Sequence, residues 1–186
     1  MRSIKVVASA CALAFGAASC SASDAAADNR RWARRFCTSL ESWQRSTTSR
    51  SEALEEYLKT PNLDPAAARE RLTTYLDDAT ESTDRLVRGL GRAGAPAIED
   101  ESKVVRTLDR GSSAVRSAIA DATTAVEALP IDDGEQFKLG IEAANATLSE
   151  GFASFYDALD RINRIDADGD LAKAERSVAA CRPLRS

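Results

Sequence analysis

From Asn29 onward the apolar residues recur at spacings of three and four, and no stretch alternates with the β-branched enrichment of a strand, so the pattern predicts helices throughout. The first is expected over about residues 29–46, with Trp32, Phe36, Leu40 and Trp43 on one face as core aromatics. A separate short helix is expected over 51–59, opened by Ser51 as N-cap, carrying Leu54, Tyr57 and Leu58, and ended by Thr60-Pro61-Asn62. Asp64-Pro65 starts the next, because a carboxylate accepts from free backbone N–H groups and proline suits the first helical position. Its stripe is Leu72, Leu76, Ala79, Thr83, Leu86 and Leu90, and the glycine-rich run from Gly89 to Pro96 predicts its end and a flexible connection.

Ile98, Val105, Leu108, Ser112, Val115, Ile119, Ala122, Val126 and Leu129 then mark a helix of about thirty residues that stops at Pro130. Gly111-Ser112-Ser113 in its middle predicts either close approach of a neighbour or a soft point, with close packing slightly favoured. Asp132-Asp133-Gly134-Glu135 opens a further helix with the stripe Phe137, Ile141, Ala144, Leu148, Phe152, Phe155, Leu159 and Ile162, ending near Ile165. Asp168-Gly169-Asp170 restarts a last one through Leu171, Ala174, Val178 and Cys181, closed by Pro183. Helices this long cannot bury their stripes alone, and short connections favour antiparallel neighbours. The expected fold class is therefore all-α, an antiparallel up-and-down helical bundle of four principal helices plus short helices, occupying residues 29–186.

The first residues follow another pattern. Arg2 and Lys5 precede an uncharged run from Val6 to Ala18 that is too short to span a bilayer and ends in small residues, which is the layout of a signal peptide over residues 1–19. Ala17-Ala18-Ser19-Cys20 resembles the lipobox of bacterial lipoproteins, although Ala17 stands where that family most often has Leu. The resemblance implies cleavage before Cys20, a diacylglyceryl group on its thiol and an acylated amine such as a palmitate amide. Cleavage after Ala22, with free secretion, is the alternative. Residues 20–28 then read as a flexible tether. Of the four cysteines, Cys11 leaves with the signal; lipidation of Cys20 would remove the odd thiol, and Cys37 and Cys181 can form one disulfide in an oxidising compartment.

Composition narrows the function. The formal net charge is -4 with both signs mixed, and without Arg2 and Lys5 it becomes -6, which does not fit a nucleic-acid binder. Histidine is absent and the one methionine is the initiator. The expectation is therefore no cofactor, no metal and no enzymatic activity: haem held by His or Met, His-containing zinc sites, Ser-His-Asp triads and the Glu-x-x-His di-iron signature are all excluded. The Asp166, Asp168 and Asp170 cluster departs from a calcium loop, with Leu171 and Ser177 at positions that pattern needs, and is expected to be an acidic inter-helix turn. Asp77, Asp78, Glu81 and Asp84, with Asp157 and Asp160, are expected on solvated faces or paired with Arg85, Arg88 and Arg161.

Arg30, Arg31, Arg34 and Arg35 carry more interest, because they lie about ten residues beyond the proposed lipid and are expected to face outward, Arg30 and Arg34 opposite the Trp32 face and Arg31 and Arg35 flanking it. They are expected either to meet anionic headgroups or to form a solvated basic face. The signal with its Cys, Phe36-Cys37 followed by Trp43, Tyr75-Leu76-Asp77-Asp78-Ala79 and the late Cys181 together resemble the small exported helical lipoproteins and secreted proteins of actinobacteria. That resemblance implies an extracytoplasmic helical protein held to the cell membrane by lipid, or secreted, and it carries over no functional residue. Two functions remain open. The first is a non-catalytic envelope protein whose polar faces meet an envelope protein or the cell wall. The second is a binding module that holds an apolar ligand or lipid between helices, with Ala79, Ser112, Ala122, Ala144 and Gly151 leaving space.

Overall fold

No glycine or proline interrupts the chain between Ala18 and Thr60. In the computed structural model, which describes residues 18–61, 63–167 and 169–183 with side chains from Ser23 onward, this stretch is one continuous helix. This first helix, α1, spans Ala18–Leu58, 41 residues. The expected break between residues 46 and 51 is absent. Serine and threonine cost only tenths of a kcal/mol each in a helix, and here tertiary contacts hold the polar run in place. Arg50 donates to the Asp78 carbonyl at 2.8 Å and Ser51 shares a 3.0 Å hydrogen bond with the Tyr75 hydroxyl. The residues expected as a tether are helical as well, since Ala25-Ala26-Ala27 favours a helix more than their small size suggested. The signal segment lies outside the described residues up to position 17, and Cys20 is described by its backbone only.

Helix α2 spans Pro65–Ala93, α3 Glu101–Glu127, α4 Gly134–Ile165 and α5 Asp170–Ser177, followed by a 3₁₀ turn, Ala179–Cys181. No strand occurs among the described residues. Several caps are those the sequence specifies. Asp64 accepts from Ala67 N–H at 3.0 Å, and Asp133 accepts from Glu135 and Gln136 N–H at 3.1 Å.

The long helices pack in sequence. Ascending positions on α1 meet descending positions on α2 and the loop after it: Asn29 with Ala97, Trp32 with Gly94, Arg35 with Arg92, Trp43 with Thr83. Arg69 and Arg116 join α2 to the end and middle of α3, and Gly111 and Gly151 join α3 to α4. The 3₁₀ turn and α5 fold back on α1, where the Cys37 and Cys181 sulfurs lie 2.03 Å apart, at disulfide distance.

The connection after α2 differs from its expected flexibility. The helix runs through Gly89 and Gly91 and stops at Gly94, whose φ of 73° is the left-handed conformation that favours glycine. The loop is then pinned to α1. Asn29, fully buried, accepts from Ala97 N–H at 2.7 Å and donates to its carbonyl at 3.2 Å, while Trp32 Nε1 donates to the Gly94 carbonyl at 2.9 Å. A buried amide with both ends bonded replaces the water that a free loop would use.

The small residues in α3 and α4 are close-packing positions. A Cβ at Gly151 would run into Ala118 Cβ and sit 3.2 Å from the Ala114 carbonyl oxygen, and one at Gly111 would lie 2.8 Å from Ala158 Cβ. Helix propensity alone predicts that Gly151→Ala stabilises by about 1 kcal/mol. Because the obstacle includes backbone, the sign reverses, and urea unfolding of Gly151→Ala should show a loss of about 1–3 kcal/mol. A gain would mean that α3 and α4 can move apart.

Candidate functional site

Where α1 and α4 face each other, three stretches differ in what fills the space between them. At the end bearing the N-terminal half of α1, α5 and the 3₁₀ turn pack on α1 and leave a smaller cavity of about 260 Å³ lined by Phe36, Leu40 and Leu159. In the middle the rings of Trp43 and Phe155 meet edge-on with centroids 5.2 Å apart, and Phe152 lies 5.7 Å from Trp43. At the far end no element and no aromatic pair among the described residues fills the gap. A cleft of about 450 Å³ opens there between α1, α2, α3 and α4.

The cleft is apolar inside and polar at its rim. Leu72 and Leu76 from α2, Ala122 and Val126 from α3, and Ile141, Ala144 and Leu148 from α4 line it, with Leu54 and Leu58 from α1. Ala122 and Ala144 are fully or nearly fully buried, so their missing volume is part of the space. Glu55, Lys59, Glu142, Asn145 and the Ser51–Tyr75 pair stand at the rim. Lys59 and Glu55 pair at 2.7 Å, and that hydrogen bond and the ammonium charge lower the Glu55 carboxyl below its usual range.

Of the five small positions expected to leave space, the fold brings only Ala122 and Ala144 to the cleft. Gly151 serves close packing on Ala118, while Ala79 and Ser112 are buried elsewhere, Ser112 donating to the Leu108 carbonyl at 2.7 Å. Sequence reasoning missed the cleft-lining Leu54, Leu58 and Ile141 as site residues, because a three-four stripe marks a buried face without showing whether a neighbour covers it.

The acidic clusters do not converge among the described residues. Asp166 accepts from Leu171 N–H at 2.7 Å and so caps α5; Asp168 lies outside the described residues. Glu81 pairs with Arg85 as expected, Asp78 with Arg50 at 3.5 Å, and Asp84 with Arg116 at 2.5 Å rather than with Arg88. No group of three His, Cys, Asp or Glu side chains able to hold a metal occurs among the described residues.

All four early arginines are exposed. Arg31 pairs with Asp28 at 3.1 Å, and Arg35 donates to the Arg92 carbonyl at 3.0 Å. Arg34, Arg35 and Arg92 line one shallow groove between α1 and α2, above Ser39 and Gly89. No described helix is long and apolar enough to cross a membrane. No protein-family model matches the chain, and no curated protein and no solved structure matches it either.

Proposed function

We propose that this chain is an exported, lipid-anchored protein without catalytic activity, whose four long helices form an antiparallel up-and-down bundle that binds an apolar ligand in the cleft between their ends. The helix pairings support the topology, since the residue numbers rise on one partner as they fall on the other at all three successive contacts. Export and anchoring through Cys20 rest on the charged start, the short apolar run and the small residues before that cysteine. The absence of histidine and of any recognisable nucleophile and base pair supports a non-catalytic role.

One observation carries the ligand-binding reading. The apolar cleft of about 450 Å³ lies within the roughly 300–1,000 Å³ of small-molecule sites, and its apolar interior with a polar rim suits an amphiphile whose chain enters and whose head stays in water. A bundle serving only as a structural spacer would gain stability by filling this space with larger side chains at positions 122 and 144.

Native mass spectrometry of protein from the membrane fraction tests both parts in one spectrum. A covalent diacylglyceryl increment that disappears in Cys20→Ala would support the anchor. A non-covalent apolar adduct that persists in Cys20→Ala but is lost in Ala144→Leu would support the cleft. In solution, the Ala144→Leu variant should bind the neutral dye N-phenyl-1-naphthylamine at least about ten-fold more weakly, because each methylene displaced from an apolar site is worth about 0.8 kcal/mol. Equal dye binding by both proteins would overturn the ligand-binding reading.

A further inference from the structure

The helix pairings sort the charges of this acidic chain by position along the bundle. The Trp43–Thr83 hydrogen bond marks its middle. Toward the cleft, residues 46–82 and 117–149 carry 5 Lys and Arg against 14 Asp and Glu. Toward the N-terminal half of α1, the described residues of 23–45, 83–116 and 150–183 carry 17 against 14. One half is thus nine charges negative and the other three positive, a separation invisible in the net charge of -4.

Within the positive half, cations from two helices meet. Gly89 lacks the side chain that would strike Ser39, so α1 and α2 approach closely and the Arg35 guanidinium reaches the Arg92 carbonyl. Arg34 and Arg35 on α1 thereby lie beside Arg92 on α2, with Arg88 one turn before it. All four are exposed, and no described carboxylate lies within ion-pairing distance of any of them. Salt bridges pair Arg31, Arg45, Arg85 and Arg116 nearby with carboxylates, whereas the four guanidinium groups of the seam have none among the described residues.

We infer that the arginine seam of α1 and α2 docks on an anionic phospholipid surface, with the acidic cleft end held away from it. Guanidinium groups suit the lipid phosphates, and repulsion of the far half selects one orientation. The seam also lies on the side from which the helical segment leading to Cys20 emerges, about 15 Å along the axis from Arg30. The inference depends on neither the cleft nor acylation.

The test uses the full chain carrying Cys20→Ala, so that acylation cannot hold it, in co-sedimentation with phosphatidylcholine vesicles with and without phosphatidylglycerol. The readout is the ratio of the two affinities, which removes any contribution from apolar insertion. The parent should favour the anionic vesicles, and the preference should fall at high salt, where exposed charges are screened. Arg34→Gln with Arg88→Gln should lower the ratio by roughly 25-fold, about five-fold for each cation removed, and Arg34→Glu with Arg88→Glu, which reverses both charges, should lower it further. Lys59→Glu with Lys138→Glu, an equal charge change at the far end, should leave it nearly unchanged.

A parent ratio of one, or equal losses in the two reversal variants, would overturn the inference. So would displacement by inorganic phosphate at an ionic strength where chloride has no effect, because the seam would then be a small-anion site. Circular dichroism matching the parent confirms that each variant compared is folded.

Discussion

Replacing Cys37 and Cys181 together by alanine is expected to lower stability by about 5 kcal/mol, as measured by urea unfolding. The two residues are 144 apart in sequence, and closing so long a loop removes much of the entropy of the unfolded chain. The bridge also fixes the last turn to the middle of α1, the element against which α5 packs most extensively. For a domain of this size the loss corresponds to about 10–20 °C in midpoint temperature. Both side chains are 2% exposed, so a reductant added to the native protein should act slowly, and the reduced parent should then match the double variant. A loss below about 1 kcal/mol would mean that packing alone secures the C-terminal segment and that the unfolded chain is already compact.

Phe155→Ala should cost about 3–5 kcal/mol in the same measurement. Phe155 is fully buried at the centre of the bundle, with Trp43 of α1 edge-on at 5.2 Å and Gly111 of α3 beneath it. Its removal therefore opens a cavity bounded by three helices, and the close contact at Gly111 gives the walls little freedom to collapse. Phe152→Ala should cost clearly less, since Phe152 is only partly buried and its side of α4 leads toward the open cleft. Similar losses at the two positions would mean that the middle of the bundle is more loosely packed than the Trp43 contact implies. Phe155→Leu, which keeps most of the volume, should recover the greater part of the difference.

The helical class and most of the helix ends were legible in the chain. Asp64-Pro65 and Asp133-Gly134 start helices through local chemistry: a carboxylate that accepts backbone N–H groups, and in the first case a proline whose geometry suits the first turn. The stripes of α2, α3 and α4 were readable because a buried face needs apolar residues at every turn. Two local readings failed for one shared reason. Residues 46–51 looked like a break and residues 89–96 like a flexible connection, because each is polar, small or glycine-rich. Arg50 and Ser51 are held by Asp78 and Tyr75 across the α1–α2 interface, and Asn29 and Trp32 hold the loop that follows Gly94. Those partners are distant in sequence, so no window along the chain contains them.

The candidate sites divide in the same way. The arginines on α1 could be placed on one outward face by helical periodicity, and the pairing of Cys37 with Cys181 followed from cysteine arithmetic. Arg88 and Arg92 could not be assigned to that face, nor Leu54 and Ile141 to one cleft, because their juxtaposition depends on which helices meet. The sequence by itself determined which residues form helices and which faces are apolar, since propensity, capping and periodicity act within a few turns. Only the tertiary structure decided where α1 stays unbroken, which glycines are contact points and where an apolar face remains uncovered. Those outcomes depend on the partner facing each residue and on the volume left between helices once the large side chains are in place.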